Sequence, residues 1–123
     1  MSLPSSFVIY DDKVTRPFIT MRELYITFSK QAVEMLGYAE YVHLFLDKAN
    51  KKIAFQACKK DKLSIPFYKE PEEGKQMLVR LNGKERVTAI MEIAGIRDCG
   101  KGIRIYGDFL PEDKAMVFDL NEI

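Results

Sequence analysis

Apolar and polar residues alternate over residues 24–28, with Leu24, Ile26 and Phe28 on one side and Tyr25 and Thr27 on the other. A period of two predicts a half-buried strand. Ser29 follows, and its hydroxyl suits a helix N-cap because it accepts a bond from an orphan backbone N–H. Ala32, Val33 and Leu36 then give a short apolar helical face, which Gly37 is placed to close. Residues 41–46 are strongly strand-forming. Asp47, Lys48, Ala49 and Asn50 supply turn chemistry, and residues 52–57 return as the partner strand.

The same order is written a second time. Met77, Val79 and Leu81 alternate with Leu78 and Arg80. Asn82 reads as an N-cap, with Glu85 three residues on to complete a capping box. Val87, Ile90, Met91 and Ala94 stand at i, i+3, i+4 and i+7, and Gly95 ends that helix. This second helix should be the longer, because its stripe runs two full turns. Residues 102–106 read as a strand, 110–114 as a turn and 115–120 as the return. Phe28 lines up with Leu81, Ser29 with Asn82, Gly37 with Gly95 and Phe55 with Phe118. The lead-ins agree as well, since Pro17 and Phe18 precede one unit and Pro66 and Phe67 the other.

The rest of the chain fits around these units. Residues 7–10 are a short apolar run that reads as an extra strand, and residues 14–21 are extended, with Pro17 at an edge or strand start. Residues 59–74 connect the units. Their ends are polar and turn-prone, but residues 63–68 are apolar enough to pack on the core. The expected architecture is a single α+β domain over residues 1–123. It is β-rich, with a duplicated strand–helix–β-hairpin unit as pseudo-repeats 15–58 and 64–120. Its expected core includes Phe28, Leu36, Leu44, Phe55, Val79, Ile90, Ile105 and Phe118.

Composition narrows the function without naming it. The chain has 123 residues, 47% hydrophobic and 30% charged, enough to bury one core. No 18-residue apolar run is present, so no membrane span is expected, and the first residues lack the pattern of a signal peptide. Net charge is +1, too small for a strongly electrostatic nucleic-acid binder. The excess is uneven: residues 1–62 carry 10 Lys and Arg against 7 Asp and Glu, residues 63–123 carry 9 against 11. The first half is therefore the better candidate for a phosphate-facing surface. Cys58 and Cys99 lie far apart, in no metal-ligand spacing, as expected of free thiols in a reducing cytoplasm.

Catalytic chemistry finds little support. The single histidine, His43, sits mid-strand on the face of Tyr41 and Phe45, and reads as a packed or rim residue. The sequence nominates neither an orienting carboxylate nor a nucleophile for it. The carboxylates form no acid/base pair, and one His with two separated Cys is a poor metal-ligand set. Gly100 and Gly102 precede a strand instead of a helix, so they do not read as a phosphate loop. Tyr25, Tyr38, Tyr41 and Tyr106 are expected to be partly exposed. No enzyme activity and no cofactor are expected.

Residues 24–38, with Leu36-Gly37-Tyr38 ending the helix, followed by the hairpin 41–57, resemble the AbrB/MazE/SpoVT-type swapped-hairpin domain. Such domains form half a barrel and need a second copy, so the resemblance implies a pseudo-dimer completed within one chain. It also implies a cytoplasmic, DNA-binding transcription regulator acting on double-stranded DNA. The positions matching that family's DNA-contacting arginines hold Phe18, Ile19, Tyr25, Val33 and Glu34 here. None is basic, so DNA contact falls to neighbours, and the candidates are Lys13, Arg16, Arg22 and Lys30. The alternative is a protein-interaction or assembly module, antitoxin-like, acting on a protein partner or as a homodimer without nucleic acid.

Overall fold

Strand-forming alternation and hairpin turns dominate the chain, and the structure follows them. The computed structural model describes residues 16–74 and 79–123. The expectations for residues 7–10, Lys13 and Met77 fall outside the described residues. Strand β1 (Phe18–Met21) and β2 (Tyr25–Phe28) lead into helix α1 (Lys30–Met35) and the hairpin of β3 (Tyr41–Asp47) and β4 (Lys52–Cys58). A short β5 (Ile65–Pro66) and β6 (Arg80–Asn82) precede helix α2 (Lys84–Ala94) and the hairpin of β7 (Ile103–Leu110) and β8 (Ala115–Asp119). The strands form one antiparallel, nearly closed barrel-like sheet in the order β5-β3-β4-β8-β7-β1-β2-β6. The result is a β-rich single domain with two helices among the described residues.

The hairpins cross over. β1, which leads into the first hairpin, pairs with β7 of the second, Ile19 facing Ile105. β5, which leads toward the second, pairs with β3 of the first, Ile65 facing Val42. Ile19 and Ile65 are both buried in these pairings. The two hairpins meet along β4 and β8, where Ile53 faces Phe118 and Phe55 faces Met116.

Alternate residues of every strand point inward. Phe55, Phe118, Ile19, Met21, Ile26, Ile53 and Met116 are fully buried. Phe55 stacks edge-on against both Phe28 and Phe118. Of the expected core, Phe28, Leu36, Phe55, Val79, Ile90, Ile105 and Phe118 are buried and Leu44 is partly so. Leu24 is 57% exposed. The Arg22 N–H donates to the Tyr25 carbonyl across a tight turn, so Leu24 sits at that turn's tip and leaves the strand's phase.

The helix ends repeat one geometry. Gly37 and Gly95 take φ of 69° and 75°. Their N–H groups donate to Glu34 and Glu92, and the next residues, Tyr38 and Ile96, donate to Val33 and Met91. This is the glycine-closed helix end that satisfies orphan carbonyls. The starts differ. The Ser29 hydroxyl accepts from the Ala32 N–H, as expected. Asn82 does not cap: it lies in β6 opposite Tyr25. The Gly83 N–H continues the ladder to the Leu24 carbonyl, so the chain turns one residue later. Gly83 takes the cap position at φ 147° with no side-chain bond, a backbone open to glycine. Helix α2 has 11 residues against 6 for α1.

Candidate nucleic-acid interface

The outward residues of β7, β1, β2 and β6 form a surface that carries two ring-stacked arginines. Register sets Arg104 beside Thr20, Thr20 beside Thr27, and Thr27 beside Arg80. One row thus runs Arg104, Thr20, Thr27, Arg80 across four strands. Three strand spacings of about 4.8 Å put the two arginines about 14 Å apart at their backbones. Each guanidinium lies over a neighbouring ring, Arg104 4.0 Å from Phe18 and Arg80 4.3 Å from Tyr25. Such stacking holds a long side chain in place while its donors stay in water. Among the described residues, neither arginine has a carboxylate within 4.0 Å.

The sequence candidates divide. Arg22 joins this face from the end of β1: its guanidinium donates to the Lys101 carbonyl at 2.6 Å, beside Gly102. Arg16 stands at the other end of β1, 3.5 Å from both Asp108 and Glu122 and over the Tyr106 ring. Six residues of extended chain set Arg16 and Arg22 about 20 Å apart. Lys30 is exposed on the first turn of α1, on the Arg16 side, since the Ser29 N–H donates to the Phe18 carbonyl. Arg16, Arg22 and Lys30 thus do not gather into one patch, and Lys13 is outside the described residues. Arg80 and Arg104 were missed. Their own segments show only an alternating charge, and the row appears only when strands far apart in sequence pair.

His43 behaves differently from its sequence reading in one respect. Its Nε2 lies 2.7 Å from a carboxylate oxygen of Asp61, from the connector. Asp61 is held below the ordinary carboxylate range by the Leu63 N–H, with His43 adding to the effect. Cys58 lies nearby in β4, and its thiol is pushed up by burial and by the Asp61 charge, the wrong direction for a thiolate nucleophile. Cys99 is buried against Met91, with Sγ to Sδ of 3.6 Å. Among the described residues no three His, Cys, Asp or Glu side chains gather to hold a metal. No described helix is long and apolar enough to cross a membrane. No protein-family model, curated protein or solved structure matches the chain.

Proposed function

We propose that this chain is a swapped-hairpin pseudo-dimer that binds double-stranded DNA through the outer face of β7-β1-β2-β6. The observation that carries the DNA reading is the row Arg104, Thr20, Thr27, Arg80, whose ring-stacked guanidiniums face water. Arginine forks and threonine hydroxyls are phosphate-binding groups. A major groove about 12 Å wide admits two strands, not four, so the face lies across the groove and meets phosphates on both walls. It therefore reads backbone in preference to base edges, and sequence preference comes from shape. The small net charge fits a contact with few phosphates. The pseudo-dimer reading rests on three parallels: crossed lead-in strands, matching helix ends, and hairpin turns of equal length.

A salt-titrated binding assay on random duplex DNA tests this. With Arg22, Arg80 and Arg104 each meeting one phosphate, the logarithmic salt slope should be about −2.7. Arg80→Ala with Arg104→Ala should reduce it to about −0.9, while Lys48→Ala with Lys60→Ala on the far hairpin and connector should leave it unchanged. No duplex binding by the wild type at about 50 mM salt removes the DNA reading. The protein-partner or homodimer reading would then lead, since Phe45, Leu46 and Leu110 stand exposed near the hairpin ends.

A further inference from the structure

A concave surface elsewhere shares no residue with the arginine face. It is an open groove of about 420 Å³ whose lining includes Tyr38, Tyr41, Tyr68, Pro66, Glu40 and Glu70. Backbone pairing fixes its floor: Tyr41 faces Pro66, and the Phe67 and Tyr68 N–H groups donate to the Glu40 and Ala39 carbonyls. Tyr38 and Tyr68 pack edge to face at 5.1 Å. Tyr38 is 44% exposed and adopts φ 55°, a left-handed conformation unusual for an aromatic residue. The fold thus holds a strained tyrosine with its ring at the groove wall.

We propose that this groove binds a proline-rich peptide in the polyproline II conformation, carrying a basic residue at one end. Such a helix has no internal hydrogen bonds, so its carbonyls are free to accept from tyrosine hydroxyls. Its proline rings pack against tyrosine rings, and its stiffness lowers the entropy cost of binding. Charge selects the basic end: Glu40 and Glu70 outnumber the one lysine of the lining, Lys69.

The test is an NMR titration with the synthetic peptide Arg-Ala-Leu-Pro-Pro-Leu-Pro. Shifts should cluster at Tyr38, Tyr41 and Tyr68. Tyr38→Asn keeps a residue that tolerates left-handed backbone while removing the ring, and should weaken binding more than about fivefold. Tyr38→Phe, which keeps the ring and loses only a hydroxyl, should weaken binding less than Tyr38→Asn, and replacing the peptide's arginine by glutamate should weaken it. The proposal fails if the tyrosine signals do not move. It also fails if an all-alanine version of the peptide binds equally, or if tetramethylammonium alone reproduces the shifts, which would mark a small-cation site. Adding duplex DNA should leave peptide binding unchanged, because the two surfaces are separate; this holds whether or not the DNA reading survives.

Discussion

The hairpins β3–β4 and β7–β8 close with like turns and differ in what they show to water. Both close with four residues, Asp47 pairing Lys52 in one and Leu110 pairing Ala115 in the other. Both end the turn on a lysine with positive φ, Lys51 at 53° and Lys114 at 49°. In each, the carbonyl before that lysine accepts a side-chain amide from the opposite hairpin's side: Asn50 from Asn121, Asp113 from Gln56. Outward, the first hairpin presents Tyr41, His43 and Phe45, the second Arg104, Tyr106 and Asp108. Inward, Leu44 faces Phe55 where Gly107 faces Phe118. The turns and inner rows therefore fix the scaffold, while the outer positions carry separate chemistry on each side.

The largest test of this likeness is at its centre. Phe55→Ala and Phe118→Ala should each cost about 3–5 kcal/mol in urea unfolding, because both rings are fully buried. A loss under about 1 kcal/mol at one site alone would break the comparison. The inner difference gives a smaller effect. A Cβ on Gly107 would lie 2.6 Å from the Phe118 ring, so Gly107→Ala should cost about 1–3 kcal/mol by overpacking. Adding Phe118→Leu should cost less than the sum of the two changes, since they share one space. The turns give the smallest effect. Lys51→Gly and Lys114→Gly should each raise stability by about 0.5 kcal/mol, as relief of left-handed strain exceeds glycine's entropy cost. Lys52→Gly, within β4, should lower it. Unequal gains at the two lysines would show that the turns are alike in shape only.

Much of this frame was legible in the residues. Ser29, Gly37, Gly95 and both hairpin turns act locally, through bonds to residues a few positions away, so sequence spacing exposes them. The misreadings arise where a distant strand decides. Asn82 has N-cap chemistry, yet pairing with Tyr25 keeps it extended and hands the cap to Gly83. Ile93 is buried on α2 beyond the expected stripe. The sequence showed no carboxylate for His43 because Asp61 reaches it from the connector, 18 positions on. Arg80 and Arg104 were invisible as a pair because β1 and β2 stand between them in the sheet.

The crossed pairing of β1 with β7 has a consequence for synthesis. Arg22 at the end of β1 meets Lys101, 79 positions later. At about 5–20 residues per second, a ribosome needs on the order of ten seconds to supply that partner. Until then one edge of β1 lacks its sheet neighbour, and an unpaired edge is where nascent chains stick to one another. The barrel thus completes only after β7 and β8 have been synthesised, and its folding is set by sequence-distant closure instead of by the fast local hairpins.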